Sequence, residues 1–555
     1  MSAPRAERIL IGRIASLRGT TGLGWVEALA IGQGRVLAAG TRASVEALAG
    51  PDTLTWVLPP ALAVTPSFTD AHLHCASAAL AAGQPELTGL DRAAVSGLIG
   101  QSHRTMLERG DEDGWLLGHG WSFAALGEHP DAAWLDEAAP GRPVALWAHD
   151  HHSRWLSARA IQVAGLAAVG DPPAGRIERD ADGRPTGVMY EAAAGLIDAH
   201  IPPPAAADVD WALGAYARTL AELGVTSVHD PGAVAPDPEL RGGTVHYREM
   251  ARAGRLPLRI MASVREEQLT RAIEIGFRSG RRVEGDERGR YRDGWLKLFS
   301  DGALGSRTAA LLEPYEPDDP TGPPPGGPRG MPLRTHEQLA EVAGRAAEAG
   351  IASQIHAIGD GAVRTVLDVI ERLPAVAGAM HRVEHAQLID PPDIARFGRF
   401  GIPASVQPSH LLSDAAAMRT SWGRRSAHAF PLAALDAAGG LLPFGTDAPV
   451  ESADPWAGLA AAVTRRGAGW PLEQAFYPAQ AISLERALRA ACLDGPRSAR
   501  IDDEGHLDIG ARADLLVVPA ATFDEPADPE VIARVRPLAT LLDGEVVYRA
   551  PTFEL

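Results

Sequence analysis

Short apolar runs, each closing on a polar cluster, recur along this chain of 555 residues. The eight clearest are Leu62-AVTPSFTDAHLH, Gly224-VTSVHD, Leu258-RIMASV, Trp295-LKLFSDG, Ile351-ASQIHAIGD, His381-RVEHAQLI, Ile402-PASVQPSH and Leu441-LPFGTDAP. Their length, β-branched content and Gly/Pro/Asp borders read as buried strands. Between most of them lie Ala/Leu/Glu/Arg segments of helical period, such as Glu337-QLAEVAGRAAEAG, whose Gly350 stands where a helix C-cap belongs. Apolar strands alternating with helices predict an α/β fold with a parallel sheet, and eight of them predict a closed (β/α)8, TIM-like barrel.

The pattern departs from a bare barrel in two places. After the first strand comes a large insertion, about residues 76–215, containing Gly118-HGW, Val144-ALWAHDHHSRWL and a hairpin-like Gly175-RIERDADGRPTGVMYE with an Asp-Gly turn. Insertions of this size on a barrel build a lid or a substrate wall. The two ends of the chain read as short strands with Gly turns, and neither end could bury a sheet face alone. They are expected to pair into one small β-sandwich domain. The expected organisation is residues 1–62 and 504–555 in that small domain, with the barrel over 63–503. The Pro-rich run 320–328 is expected as a loop.

Composition sets bounds on partners. Hydrophobic residues at 46% and charged residues at 22% are ordinary globular values. A formal charge of −18 argues against nucleic acid or an anionic membrane as the main partner. No apolar run of spanning length and no secretory signal is read, and two cysteines are too few for a disulfide framework. A cytoplasmic protein acting on a small-molecule substrate is the expectation.

The composition also singles out one residue. Of 52 lysines and arginines, Lys297 is the one lysine, and asparagine is absent. A surface cation can be arginine at little cost, but guanidinium stays protonated where a buried lysine readily shifts its pKa. Lys297 is therefore a candidate for chemistry that needs a neutral amine. Barrel chemistry sits at the C-terminal ends of the strands, where this chain places His72, His74, Asp230, Lys297, Asp301, His356, His385, His410 and Asp447. Period-two alternation turns His72 and His74 to one side, so both can grip one cation. Imidazoles and a carboxylate converging in a barrel mouth suit Zn²⁺ or a similar divalent ion.

The remaining candidates have weaker signals. His149, His151 and His152 lie in the insertion and read as substrate wall or solvated residues in preference to ligands. His410 is a candidate contact for substrate or for a developing oxyanion. Trp121 and Trp155 are candidate pocket walls, with ordinary core the alternative. Cys75 reads as packing, His381 and Asp230 as hydrogen-bonding strand ends, and Asp301 as a loop organiser. Arg307 reads either as a reader of a substrate acid or as half of a structural ion pair.

Taken together, Pro66-SFTDAHLH, Gly224-VTSVHD, Trp295-LKLFSDGALGSRTA, Gln354-IHAIGD, Val383-EHAQL, Ser405-VQPSH, Phe444-GTDAPV and Gly505-HLDIGARADLLVV resemble the amidohydrolase superfamily. Within it they resemble amidohydrolase family 3, the YtcJ-like and N-substituted formamide deformylase-like enzymes. The resemblance spans nearly the whole chain in order, with Ser67 and Thr69 standing where the family has Gly and an aliphatic residue. It implies that His72 and His74 bind one metal ion, and His356 and His385 a second. Lys297 would be carboxylated and bridge both ions, while Asp447 ligates the first and shuttles a proton. The implied reaction is hydrolysis of a linear amide C–N bond by metal-activated hydroxide, N-substituted formamides being one candidate class. An ester or lactone at the same site is the alternative, and a non-catalytic metal-binding or regulatory barrel the alternative of a different class. A homodimer is a further expectation of the resemblance.

Overall fold

The computed structural model describes residues 5–232, 243–317, 323–524 and 527–554. Of the Pro-rich run expected as a loop, residues 320–322 lie outside that description. Seven parallel strands hydrogen-bond to one another in chain order: Phe68–Asp70, Val225–Asp230, Arg259–Arg265, Tyr291–Phe299, Ser353–Ala357, Arg382–His385 and Ala404–Ser405. Nearly every residue in them is buried, as strands covered on both faces require.

The eighth run, residues 441–447, closes the ring through single bridges in place of a regular ladder. Phe444 bridges Val406 in parallel, and its carbonyl accepts the Ala71 N–H at 2.9 Å. Pro443 has no N–H to give a ladder. Gly445 lies so close to its neighbour that a Cβ there would sit 2.6 Å from the His72 nitrogen. Helices cover the outside. Asp360–Ile370, for example, buries Val363, Val366, Leu367 and Ile370 in the cluster that holds Ile355 and Val383 of the strands. The helix His336–Glu348 starts on a Thr335/Gln338 capping box and is followed by Gly350 at φ +78°.

The first apolar run of the sequence serves two sheets. Leu62–Pro66 pairs antiparallel with Leu515–Pro519 from the other end of the chain, and Phe68–Asp70 then begins the ring. The strands expected as a sandwich from the two termini hydrogen-bond as one continuous eight-stranded sheet. Strands far apart in that sheet share one core, which holds Leu10, Val36, Leu515 and Leu541. The sheet therefore folds over its own apolar face, and no second sheet is needed to bury it.

Between the first two ring strands lies a five-stranded sheet of its own, ordered Gly175–Arg179, Pro185–Glu191, Ser153–Leu156, Val144–Ala148 and Leu116–Trp121. The first two strands form the hairpin, turning at Gly183 with φ +80°. Trp121, Trp134, Trp155 and Leu146 lie in its core. No described helix is long and apolar enough to cross a membrane.

A buried ion cluster joins the ring to the terminal sheet. Arg259 donates through Nε and Nη2 to Asp514 at 3.0 and 2.9 Å, and through Nη2 to Asp543. Arg512 reaches the same Asp543 at 3.0 Å. Removing one member leaves its partners buried without compensation, at about 3–5 kcal/mol. Arg259→Ala should therefore lower the urea midpoint by a corresponding amount. A midpoint within error of the wild type would show that the cluster does not hold the two parts together.

Candidate metal centre and substrate cavity

The polar ends of the ring strands converge on one carboxylate. Asp447 Oδ1 lies 3.4 Å from both His72 Nε2 and His74 Nε2, and Oδ2 lies 3.9 Å from His385 Nδ1 and 3.8 Å from His410 Nε2. Backbone closure produces this, because the Asp447 N–H donates to the His72 carbonyl at 2.6 Å. Asp70 locks the same corner by accepting from the His72 and Thr446 N–H groups, each at 3.1 Å, and from the Thr446 hydroxyl at 2.6 Å. Asp447 and His385 both sit in left-handed backbone, at φ 61° and 67°. Conformations of that kind persist where surrounding structure over-determines them, and they cluster at functional sites.

Charge at this floor is controlled by burial. Burial alone would raise the Asp447 carboxyl, but His72, a hydrogen bond from His74, and His385 hold it well below the ordinary carboxylate range. Burial, reinforced by Lys297, lowers His72 to about 4, and burial also pushes His356 and His385 well below the usual imidazole value. Neutral imidazoles beside an ionised carboxylate are the protonation states that bind metal. Lys297 Nζ stands 3.5 Å from His72 Nε2. Burial lowers its amine to about 7, against the opposing pull of Glu384 and Asp447.

His72, His385 and Asp447 each offer a donor atom, and the three atoms lie within 4.8 Å of one another. This nitrogen and oxygen set fits a borderline divalent cation. The grouping crosses the pairs implied by the family resemblance, for His72 falls with His385. His74 reaches the group through Asp447. His356 lies with its ring 4.5 Å from that of His385, its Nε2 being 3.0 Å from the Gly302 carbonyl.

Supports that sequence reading missed fix these rings. Glu384 accepts from His72 Nδ1 at 2.5 Å and from Arg382 Nε at 2.5 Å. Arg382 in turn donates to the Gln354 side chain at 2.7 Å and to the Ala71 carbonyl at 2.8 Å. Burial would raise the Glu384 carboxyl, but Arg382 and His72 hold it well below its ordinary value. Gln407 Oε1 holds His385 Nδ1 at 2.9 Å, and the Gly232 carbonyl holds His74 Nδ1 at 2.6 Å. Glu384 was hidden because strict alternation would send it away from His385. The left-handed residue at His385 breaks that alternation.

A cavity of about 690 Å³ opens over this floor, and His72, His74, Lys297, His356, His385, His410 and Asp447 all line it. His149, His151 and His152 line it too, on the side supplied by the insertion. His152 pairs with Glu191 at 2.8 Å and His149 with Glu451 at 3.1 Å. Trp121 and Trp155 stand elsewhere. Both are buried in the core of the insertion, donating to the carbonyls of Leu146 and Asp131, and Trp147 takes the place in the wall. Asp301 accepts the N–H groups of Ala310, Ile358 and Gly359. Asp230 accepts from Tyr247 and Gly232, and His381 from the Ser353 N–H. Arg307 lies over Tyr315, away from the cavity lining, and Cys75 is buried.

The sequence model of the Amidohydrolase family matches residues 62–548. The chain belongs to that family. It is 31% identical over 494 residues to a protein of Bacillus subtilis (strain 168) named "Putative amidohydrolase YtcJ", covering 87% of this chain and 88% of the other. It is 28% identical over 545 residues to the N-substituted formamide deformylase of Arthrobacter pascens, covering 94% and 95%. The crystal structure of an uncharacterized metal-dependent hydrolase from Pyrococcus horikoshii OT3 superposes with a TM-score of 0.71 at 25% identity, covering 94% of this chain and 98% of that one.

Partners that orient a ligating histidine are worth about 10- to 100-fold in metal affinity. Glu384→Gln should weaken divalent-ion binding by that factor in a chelator competition, with the far-ultraviolet dichroism unchanged. Affinity equal to the wild type would remove Glu384 from any role at the centre.

Proposed function

We propose that this protein is a metal-dependent hydrolase that cleaves a linear amide C–N bond, with N-substituted formamides among its candidate substrates. One observation carries the reading. Four histidines, the sole lysine and an ionised aspartate from five different strand ends line the floor of one cavity. The formamide deformylase and metal-dependent hydrolase among the similar proteins support it.

The assignment of roles follows the family resemblance, and His385, grouped with His72 and Asp447 in the structure and with its ring 4.5 Å from that of His356, lies where the two sets meet. His72, His74 and Asp447 would hold one divalent ion, Zn²⁺ by donor type, and His356 and His385 a second. Lys297 would serve both as a carbamate. Its amine is buried and has no carboxylate at ion-pair distance among the described residues, so it is not placed there as a cation. The neutral amine would add to the carbon of CO₂, forming the C–N bond as one C=O π bond opens to a carboxylate oxygen, and the nitrogen would pass one proton to solvent. The ions would supply Lewis acidity, lowering the pKa of water and polarising the scissile carbonyl. Asp447, kept ionised and within reach of four imidazoles, takes the proton of the attacking water and delivers it to the departing nitrogen. His410, which lines the cavity with its Nε2 3.8 Å from Asp447 Oδ2, would stabilise the tetrahedral oxygen. The walls of the insertion select the substrate.

Two measurements test this. Metal-stripped protein reloaded with Zn²⁺ should hydrolyse members of a panel of formamides, longer amides and esters, and should lose that activity on chelation. Turnover of none of them contradicts the reading, and turnover of esters alone moves the bond from amide to ester. Lys297→Ala should lose more than about a hundredfold in kcat and recover part of it with added acetate or propionate, which no structural role of the lysine would produce. Lys297→Arg should show neither activity nor rescue.

A further inference from the structure

Most charged groups in the cavity wall already have a partner. Glu191 is held by His152 and Thr308, Asp198 by Arg154, His149 by Glu451, and Arg334 by Glu266. Arg265 differs from these. It is the last residue of the third ring strand, in register with Lys297 on the fourth, and it lines the cavity. Its Nη1 is buried with no hydrogen-bond partner, and among the described residues the carboxylates that act on it, Glu267 in the same cavity wall and Asp230, do so without an ion pair.

The side chain is nevertheless held firmly. The guanidinium carbon lies 4.5 Å over the Phe299 ring, and the stem packs on Gly232, where a Cβ would come within 3.2 Å of Arg265 Cδ. Gly232 is the residue whose carbonyl orients His74. Lys297 Nζ lies 4.8 Å from the same Phe299 ring, so the two distances cap the separation of guanidinium and amine at the span of a short organic acid. Burial pulls the guanidinium down only to about 10, so it stays charged at neutral pH. A preorganised, partly buried guanidinium without an ion-pair partner among the described residues is poised for an anionic ligand. Its fork of donors matches a carboxylate in two parallel hydrogen bonds.

We propose that Arg265 anchors a carboxylate on the substrate, so that the substrates are short amides bearing an acid group a few bonds from the scissile carbonyl. The proposal rests on the hydrolase reading for the word substrate, but the binding itself can be measured without turnover.

The probes are N-acetylglycine, N-acetyl-β-alanine and N-acetyl-4-aminobutanoate, each beside its primary carboxamide, titrated calorimetrically into the Zn²⁺-loaded protein. At least one acid should bind about tenfold or more tightly than its carboxamide, the scale of a hydrogen bond to a charged group. Arg265→Gln should erase that difference while leaving carboxamide affinity unchanged. Arg265→Lys, which keeps the charge and loses the fork, should fall between. An acid preference that survives Arg265→Gln would place the carboxylate on the metal and overturn the proposal. Equal binding of acids and carboxamides by the wild type, or equal loss of both in the variant, would overturn it as well. Absence of turnover with every amide would contradict the hydrolase reading while leaving the binding result to stand or fall alone.

Discussion

The hydrogen bond from the Asp447 N–H to the His72 carbonyl is the contact on which the rest depends. It joins the last segment of the ring to the first, and both residues it joins carry donors for the site. Gly445 lets the two segments approach, and Asp70 clamps both with three accepted hydrogen bonds. Ring closure and assembly of the centre are therefore one event. This explains why the eighth segment is not a regular strand. A full ladder would hold Asp447 in extended backbone, and its left-handed φ would be lost.

Burial then decides the chemistry. Taken from water, imidazoles and the lysine amine favour their neutral forms, while Asp447 stays ionised because histidines surround it. The opposing charge is stored one layer out, where Glu384 and Arg382 pair beneath the histidines. That pair holds the His72 ring from behind and keeps its Nε2 toward the cavity. The wall is supplied by a separate sheet with its own aromatic core, so the cavity can change its lining without disturbing the ring.

Much of this was legible in the sequence, for reasons particular to each residue. The parallel strands announced themselves as apolar runs because both their faces are buried. Lys297 stood out because arginine replaces lysine everywhere else in the chain. Trp121 and Trp155 were not legible, since an aromatic residue in an insertion has the same pattern whether it packs a core or walls a pocket. Glu384 was hidden by one left-handed residue, and Arg265 by the surrounding abundance of arginine. The single folded sheet of the termini could not be told from two sheets, because alternation along strands reports a buried face and not what covers it. The relation of His72 to His385 is likewise a property of ring curvature, invisible to spacing along the chain.

We propose that these strand ends would hold a metal centre served by a carboxylated Lys297. Diffraction from crystals grown with Zn²⁺ and bicarbonate, with data collected on both sides of the zinc absorption edge, tests it most directly. Anomalous peaks are expected at the cavity floor between Asp447 and the four histidines, with density for a carboxyl group extending from Lys297 Nζ. A floor without an anomalous peak, or a plain lysine beside bound metal, would contradict it.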